Sequence, residues 1–242
     1  MSSRCLWPLT SCWKTPGAAR ISVDLMRTWG AIFDWDGVII DSSRQHEESW
    51  ELLAREEYRP LQPDHFRRSF GMKNEQIIPE LLGWTHEPAE IHRLSLRKEE
   101  LYRQIIQERG LTPLPGVVEF LGRLREAGVP AVVGSSTHRL NITTTLVMLG
   151  LDEMFQVIVT AEDVMHGKPD PEVFLLAAQR IGIKPARCVV LEDTPGGIQA
   201  ARAGGMKVVG VATTHPAAKL RGADRIVRRL DELTVADMDK LF

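Results

Sequence analysis

Residues 31–42 read Ala-Ile-Phe-Asp-Trp-Asp-Gly-Val-Ile-Ile-Asp-Ser. The apolar start predicts a short buried strand, and this strand ends abruptly at Asp34 and Asp36, with Gly37 directly after them. Side chains alternate along a strand, so Asp34 and Asp36 should leave on the same side if the extended backbone continues that far. An isolated Asp-x-Asp-Gly is also typical of an ordinary turn, so the rest of the chain has to decide its meaning.

The closeness of Asp34 and Asp36 predicts a reactive site. Neighbouring carboxylates repel each other and raise each other's pKa, unless a cation lies between them or one of them stays protonated. Mg²⁺ takes one or two carboxylates together with waters and phosphate oxygens, so the pair predicts a phosphoryl-transfer site. In such a site Asp34 is the nucleophile and Asp36 the general acid and base, and Gly37 permits the sharp turn that exposes both.

The composition is that of an ordinary globular chain. The protein has 242 residues, 43% of them hydrophobic and 26% charged, enough for one large domain or a domain with an insertion. The formal net charge of −2 predicts no nucleic-acid partner and no attraction to an anionic membrane. No apolar run approaches the roughly 20 residues that a membrane helix needs, so we expect no membrane association.

The cysteines and the N-terminal residues bear on the cell compartment. Cys5, Cys12 and Cys188 have no metal-ligand spacing, and Cys188 lies in a predicted buried strand, so we expect no disulfide framework and a cytoplasmic protein. Residues 1–29 form a predicted N-terminal extension, and its first 25 residues carry three basic residues ahead of the first acid, a composition typical of a transit peptide. We favour an over-long translation start before Met26, whereas a true transit peptide would make the protein organellar.

The hydrophobic pattern changes character along the chain. Residues 43–112 show helical spacing and no convincing strand, with a first helix capped by Ser42 or Ser43 and a long amphipathic helix over 87–109. From Pro113 onward strands and helices alternate. The predicted strands are 130–134, 156–160, 187–191, 207–211 and a short one near Ile226; the predicted helices are 115–127, 139–149, 171–182, 195–204 and a last one near the C-terminus.

This alternation predicts the fold class. Strands that alternate with helices form a parallel sheet covered on both faces, and the first strand belongs with the later ones. We therefore predict an α/β fold with a Rossmann-like three-layer core domain, residues 30–42 and 113–242, and an inserted all-helical cap domain, residues 43–112. Ligands of such sheets bind beyond the carboxyl ends of the strands, so polar residues at those ends should converge.

Three hydroxyl residues follow the predicted strand 130–134, namely Ser135, Ser136 and Thr137. The Ser135 hydroxyl and the neighbouring backbone N–H groups can donate to a non-bridging phosphate oxygen. The same residues can instead cap the next helix, and both roles can hold at once.

Lys168 and the pair Glu192–Asp193 follow two further strands. Lys168 precedes a rigid Pro-Asp-Pro turn and can neutralise charge on Asp34 and on a bound phosphate, although helix initiation alone explains the prolines. Glu192 and Asp193 can complete the oxygen cage of a cation, although acids are also common at helix starts. Each signal is moderate alone, but chance assembly of all four strand ends is much rarer than any single match.

Together these segments resemble the four motifs of the haloacid dehalogenase-like superfamily. The similar segments are FDWDGV at 33–38, the Ser135 loop, GKPDP at 167–171 and LEDTPGGI at 191–198. The helices after the first motif resemble the branch with a small helical cap, which contains β-phosphoglucomutase and sugar-phosphate phosphatases. The dehalogenases lack the second aspartate and the phosphonate hydrolases have alanine there, so Asp36 argues against both activities.

The resemblance implies catalysis through an aspartyl-phosphate. It places the phosphoryl group on Asp34, while Asp36 protonates the leaving oxygen and then activates water. It places Ser135 and Lys168 on the phosphate. It also implies Mg²⁺ as cofactor, bound by four acidic positions: Asp34, Asp36 through its backbone carbonyl, Glu192 and Asp193.

The cap bears on the choice between phosphatase and mutase. In β-phosphoglucomutase a cap histidine and a cap arginine grip the sugar and its distal phosphate; here His46 matches the histidine, but Asn74 stands where the arginine is expected. A mutase has to hold a bisphosphate, which the arginine fork suits better than an amide, so we favour hydrolysis, with Lys73 as a partial substitute. A plain helix start also explains Lys73 and Asn74. The predicted substrate-binding residues are His46, Gly71, Lys73, Asn74, Ser136 and Thr137.

We therefore predict a Mg²⁺-dependent phosphatase of a small phosphorylated metabolite, monomeric or weakly homo-oligomeric. A phosphomutase of the β-phosphoglucomutase type is the first alternative, and a non-catalytic phosphate-binding module is the second. Residues 71–76 and 228–233 resemble segments of plant plastid relatives that dephosphorylate a ribitylaminouracil phosphate, so this substrate stands beside sugar phosphates. Trp84 and His86 would stack on such a ring if they face the cleft, although residues at helix ends more often pack.

Overall fold

The computed structural model describes residues 29–69 and 72–242. Within them one sheet contains the strands β1 Gly30–Phe33, β2 Ala131–Gly134, β3 Val157–Val159, β4 Cys188–Glu192, β5 Lys207–Val211 and β6 Arg225–Val227. Their order is β3-β2-β1-β4-β5-β6, and all neighbours are parallel. The first strand of the chain therefore lies in the middle of the sheet, between two strands that come much later.

Helices fill the long connection between β1 and β2. They are α1 Ser43–Glu56, α2 His65–Ser69, α3 Asn74–Gln76, a π-helical turn Ile77–Leu81 and α4 Pro88–Arg109. We call residues 43–112 the cap and the other described residues the core; this division at 42 and 113 remains a prediction. The core helices are α5 Val117–Glu126, α6 Arg139–Leu149, α7 Glu172–Arg180, α8 Pro195–Ala203 and α9 Val235–Asp239.

Successive residues of β1 face different helical layers. Phe33 packs in one buried cluster with Phe120 of α5 and Ile142 of α6, while Ile32 packs in a second cluster with Phe174 of α7 and Ile198 of α8. Strands β2 and β4 divide their side chains between the same two clusters. A strand buried on both faces needs apolar residues at every position, which explains its continuous apolar run. The predicted α/β fold with three layers is confirmed.

The cap has an apolar cluster of its own, in which Trp50 of α1 packs with Leu94 of α4. Trp84 belongs to this cluster: its ring centroid lies 6.0 Å from that of Trp50, and its indole N–H donates to the Pro60 carbonyl at 2.9 Å. His86 is exposed. Trp84 is therefore a packing residue of the cap, and its suggested role in stacking on a ligand is wrong.

Several further predictions concern cysteines and termini. Cys188 is buried in β4, and Cys5 and Cys12 lie outside the described residues, as do residues 1–28 of the predicted extension. Within the described chain, no helix combines the length and the hydropathy that a membrane crossing requires.

Candidate active site

A cavity of about 860 Å³ lies between the cap and the carboxyl ends of the strands. Nine of the predicted site residues line it, namely Asp34, Asp36, His46, Lys73, Asn74, Ser135, Ser136, Thr137 and Lys168. Gly71 lies outside the described residues. Glu192 and Asp193 are fully buried at the end of β4, beside Asp34. The parallel sheet thus brings residues from four distant parts of the sequence to one edge.

Lys168 joins Asp34 to Glu192. Its Nζ lies 2.9 Å from Asp34 Oδ1 and 2.7 Å from Glu192 Oε2, and its side chain is 6% exposed. Burial alone would lower the pKa of Lys168, but the two carboxylates raise it above its usual range. Burial and the charge of Glu192 raise the pKa of Asp34 to about 7, although Lys168 opposes the change. The site therefore keeps a charged lysine beside a carboxyl group whose pKa lies near neutral pH.

Three buried acids form a group with unbalanced negative charge. Oxygens of Asp34, Glu192 and Asp193 lie within 4.8 Å of one another. Burial, followed by the charges of Glu192 and Asp34, raises the pKa of Asp193 well above its usual range. Asp193 Oδ1 is buried without a hydrogen-bond partner, while Oδ2 accepts from the Thr214 hydroxyl. An orphaned buried carboxylate oxygen among other acids fits a bound cation, so these acids could hold a metal ion.

Glu192 differs from the other two acids because both of its oxygens have protein donors. Oε2 accepts from Lys168, and Oε1 accepts from the Asp193 N–H at 3.1 Å, the Thr194 N–H at 2.9 Å and the Thr194 hydroxyl at 2.7 Å. These bonds and Lys168 lower its pKa, although burial alone would raise it. Asp34 and Asp193 therefore have more free capacity for a cation than Glu192 does.

Asp36 points to partners different from those of Asp34. Its carboxylate accepts hydrogen bonds from the hydroxyls of Ser42 and Thr137, and His46 Nε2 lies 3.6 Å from Oδ1. Burial alone would raise the pKa of Asp36, but these partners hold it at about 2. The expectation that both acids raise each other's pKa is therefore wrong for Asp36. β1 ends before Asp34, so the strand geometry that would direct both side chains to the same side does not extend to them.

The loop after β2 is held by one hydrogen bond to β3 and by one within the loop. The Ser135 N–H donates to the Val159 carbonyl at 3.0 Å, and the Ser135 hydroxyl accepts from the Thr137 N–H at 3.1 Å. The hydroxyl hydrogen of Ser135 remains able to donate. Because α6 begins at Arg139 with His138 as its N-cap, these hydroxyl residues do not cap the helix.

The cap supplies His46, which lies between Asp36 and a buried lysine. The His46 ring stacks on Tyr102 with centroids 4.0 Å apart, and His46 Nδ1 contacts Lys98 Nζ at 2.6 Å. A buried lysine needs a negative partner, and Lys98 Nζ lies 3.0 Å from Glu99 Oε1. The chain of contacts therefore runs from Asp36 to a charged pair inside the cap.

Lys73 and Asn74 contact protein groups at the cavity wall. Lys73 Nζ donates to the carbonyls of Ala161 and Val164 in the core, at 3.2 and 3.1 Å. Asn74 Nδ2 donates to Glu99 Oε1 at 2.7 Å and to the Ser95 hydroxyl at 3.1 Å. The third proton of Lys73 and the carbonyl oxygen of Asn74 remain available to a ligand, so their predicted role in substrate binding stays a prediction.

Several residues of the site were missed from the sequence. Ser42 was predicted only as a helix cap, yet it makes no cap hydrogen bond and donates to Asp36 instead. Thr214 donates to Asp193 and lies three residues after the end of β5, so a search of the residues beyond every strand end would have found it. Lys98 and Glu99 lie within a helix rich in charged residues, and no local pattern marks them as buried.

The fold and the site define a capped α/β protein with a carboxylate–lysine centre at the edge of a parallel sheet. The chain belongs to the haloacid dehalogenase-like hydrolases, whose family model matches residues 30–205. The predicted superfamily is thereby confirmed.

Three comparisons place the chain among capped members. It is 41% identical over 215 residues to a chloroplastic 5-amino-6-(5-phospho-D-ribitylamino)uracil phosphatase of Arabidopsis thaliana, covering 88% of this chain and 57% of that protein. It is 33% identical to β-phosphoglucomutase of Bacillus subtilis, covering 84% and 91%. The crystal structure of β-phosphoglucomutase from Clostridium difficile superposes with a TM-score of 0.78 at 25% identity, covering 89% and 97%. The chain thus spans little more than half the length of its Arabidopsis relative.

Proposed function

We propose that this chain is a Mg²⁺-dependent phosphatase of a small phosphorylated metabolite. The observation that carries the proposal is the contact of Asp34 with Lys168 at the wall of the cavity, beside the buried Asp193. A nucleophilic carboxylate and a phosphate are both negative, so a positive group has to offset their repulsion as they approach each other. Lys168 supplies that positive charge.

The acids fit Mg²⁺ because this ion takes one or two carboxylates, several waters and phosphate oxygens. Asp34 and Asp193 would bind it through their carboxylates, with Glu192 close by and, as the family resemblance implies, the Asp36 backbone carbonyl. When bound, the ion would offset the negative charge that accumulates where a carboxylate meets a phosphate.

The reaction has two balanced steps. In the first, an Asp34 oxygen bonds to phosphorus, the ester P–O bond breaks, and the leaving oxygen takes a proton from Asp36. In the second, a water gives its proton to Asp36 and attacks the aspartyl-phosphate, which releases phosphate and restores Asp34. The second step uses the carboxylate form that the low pKa of Asp36 favours, and the proton that Asp36 takes from water in that step is the one it donates in the next turnover.

Ser135 and Lys168 hold the phosphate in this proposal. The Ser135 hydroxyl has a hydrogen to donate to a phosphate oxygen, and Lys168 has a charge to place beside another. Ser136 lines the same wall. Thr137 contributes differently, because its hydroxyl holds the Asp36 carboxylate. We therefore propose that Thr137 orients the acid and base, in addition to its predicted contact with substrate.

Hydrolysis is favoured over mutase chemistry by the charges around the cavity. Among the described residues that line it, the permanent cations are three lysines and no arginine occurs. Lys98 is paired with Glu99, and Lys73 donates to two backbone carbonyls. A mutase has to grip a second phosphate, and a desolvated bisphosphate needs cations that are free to pair with it. Lys168 is held by Asp34 and Glu192 at the reacting phosphate. Among the described lining residues Lys73 is therefore the one lysine without a carboxylate partner, and it lacks the arginine fork that would grip a second phosphate.

Sugar phosphates and a ribitylaminouracil phosphate are the proposed substrates. The activity of the Arabidopsis relative supports the second, and a cavity of about 860 Å³ is large enough for either. We further propose that the protein acts in the cytoplasm, or in an organelle if residues 1–25 are a transit peptide, as a monomer or weak homo-oligomer with no nucleic-acid or membrane partner.

Phosphate release tests the function directly. The purified chain is incubated with p-nitrophenyl phosphate, a panel of sugar phosphates and 5-amino-6-(5-phospho-D-ribitylamino)uracil, with Mg²⁺ or with a chelator. We expect Mg²⁺-dependent release that Asp34→Asn abolishes. Conversion of β-glucose 1-phosphate to the 6-phosphate without net release would establish the mutase instead. Phosphate binding without any turnover would establish the non-catalytic module.

A further inference from the structure

Asn141 of α6 is a core residue whose buried side-chain nitrogen and oxygen both bond to the cap. Its side chain has no measurable exposure. Nδ2 donates to Glu99 Oε2, and Oδ1 accepts from Arg103 Nη1 at 2.9 Å. Glu99 and Arg103 are four residues apart on α4, so they lie on one face of that helix, one turn apart. One core amide is therefore held at both ends by neighbouring cap side chains.

The polarity of this contact is specific. A carboxylate only accepts and a guanidinium only donates, so the Asn141 amide satisfies both partners in one orientation and neither in the flipped one. Leaving either partner unpaired in this buried place would cost roughly 1–3 kcal/mol. The contact therefore selects one position of the cap on the core.

Glu99 connects this contact to the reacting groups. While Oε2 faces Asn141, Oε1 accepts from Lys98 Nζ at 3.0 Å and from Asn74 Nδ2 at 2.7 Å. Burial alone would raise the pKa of Glu99, but Lys98 and the other donors hold it at about 2, so it is a carboxylate. A fixed anion here fixes the ammonium group of Lys98.

Lys98 in turn fixes His46. Its Nζ contacts His46 Nδ1 at 2.6 Å, and the Tyr102 ring supports the imidazole from one side. His46 Nε2 then lies 3.6 Å from Asp36 Oδ1. The contacts form one continuous series from the core amide through the cap and back to the core carboxylate.

We propose that Asn141 is a positioning residue, which docks the cap on the core and thereby holds His46 beside the Asp36 carboxylate. The inference rests on the proposed phosphatase function. It adds a role that α6 would not otherwise have, because Asn141 does not line the cavity and makes no hydrogen bond to Asp34 or Asp36. The same side chains hold the cap on the core and hold His46 beside Asp36. Closure of the cap and the placement of His46 therefore occur together.

The leaving group of the substrate separates this role from a merely structural one. p-Nitrophenolate leaves without needing a proton, whereas an alkyl oxygen needs the proton of Asp36. The test compares kcat/KM for p-nitrophenyl phosphate with kcat/KM for an alkyl phosphate, taken as fructose 1-phosphate or 5-amino-6-(5-phospho-D-ribitylamino)uracil, whichever the wild type hydrolyses faster. For Asn141→Ala we expect a loss of at least about tenfold on the alkyl ester and about twofold or less on the aryl ester. A general loss of structure would lower both equally.

Exchanging the donor and the acceptor between Asn141 and Glu99 provides a second test, which does not depend on how well Asn141→Ala folds. Asn141→Asp places two carboxylates in contact, and Glu99→Gln weakens the hold on Lys98, so each alone should lower the alkyl activity. Combined, they pair an amide with a carboxylate across the same contact and keep an anion for Arg103, so the alkyl activity should recover at least about threefold over Asn141→Asp. Thr144→Ala, one turn further along α6, is the control and should leave both activities unchanged.

Two results are decisive. If the wild type hydrolyses both esters but the ratio of their kcat/KM values is the same in Asn141→Ala, or the combined variant does not recover, the role of Asn141 is overturned and the phosphatase function stands. If the wild type hydrolyses neither ester, the proposed function is overturned, and this inference with it.

Discussion

Gly37 lies directly against the carboxylate of Asp193. A Cβ atom placed on Gly37 would be 2.0 Å from Asp193 Oδ2, and the Gly37 backbone has a φ of 79°. The turn that follows the first two aspartates therefore contacts the acid at the end of β4, which lies far along the sequence. The glycine is needed for its conformation and for the space that it leaves to a carboxylate of the proposed metal site.

Replacement of Gly37 by alanine should weaken metal binding as well as stability. The left-handed backbone costs an L side chain roughly 1–2 kcal/mol, and the added methyl group must push Asp193 away. We expect Gly37→Ala to lower Mg²⁺ affinity at least about tenfold, measured by calorimetry, besides lowering the urea midpoint.

Gly150→Ala is the matched control for this variant. Gly150 has a similar φ of 64°, but nothing lies within 4 Å of its added Cβ. It should show the loss of stability with normal Mg²⁺ affinity. Equal metal affinity in both variants would contradict the proposed role of Gly37.

Replacing Gly197 or Gly196, two neighbours at the start of α8, should have very different effects on activity. A Cβ on Gly197 would be 2.0 Å from Glu192 Oε2, the oxygen that binds Lys168, whereas a Cβ on Gly196 meets nothing within 4 Å. We expect Gly197→Ala to lower kcat by about tenfold or more because Lys168 loses its anchor.

Gly196→Ala should keep full activity, and because alanine favours a helix it should be as stable as the wild type or more so. Activity assays and thermal unfolding of the two variants check both statements. Similar activity of Gly197→Ala and the wild type would show that Glu192 does not position Lys168.

Mg²⁺ affinity should fall as the pH is lowered. The pKa of Asp34 is raised to about 7, so below that pH a proton occupies the carboxyl group that must bind the cation as an anion. The dissociation constant should therefore rise about tenfold between pH 8 and pH 6 if one proton is displaced.

Calorimetry in buffers of different ionisation enthalpy gives a count of the protons released when Mg²⁺ binds. The count should fall towards zero well above pH 7, where the carboxyl group is already ionised. An affinity that is constant over this range would mean that Mg²⁺ displaces no proton from Asp34 there.

Lys73 should act mainly as a tie between cap and core. Its Nζ donates to the carbonyls of Ala161 and Val164, and its stem passes 3.4 Å from a Cβ placed on Gly167, beside Lys168. If this contact matters most, Lys73→Met lowers kcat/KM by a similar factor, about fivefold, for glucose 6-phosphate and glucose 1,6-bisphosphate. A loss confined to the bisphosphate would instead show that Lys73 binds a second phosphate. Arg68→Met, at an exposed cap cation, is the control for charge alone.

Much of the fold followed from local patterns. The helix expected over 139–149 is α6, and the expected strands agree with the observed ones to within about two residues at each end. That β1 belongs to one sheet with the later strands was also predicted, because alternating strands and helices form a single parallel sheet. The helical cap followed from the absence of any strand pattern between residues 43 and 112.

The partners of each site residue did not follow in the same way. The sequence placed Asp34 and Asp36 together, yet the structure turns Asp36 towards Ser42 and Thr137, because the strand ends at Phe33. The burial of Lys98 and Glu99 depends on how α4 lies against its neighbours, and nothing in a charged helical segment records that packing.

The sequence by itself determined which residue types stand at the ends of the strands, because strand, turn and helix signals are local. The tertiary structure alone decided which of these side chains share a hydrogen bond, which carboxylate oxygen is left without one, and how the cap meets the core at Asn141. These depend on distances of a few ångströms between segments far apart in the chain, and side-chain contacts at that scale are set by packing rather than by periodicity.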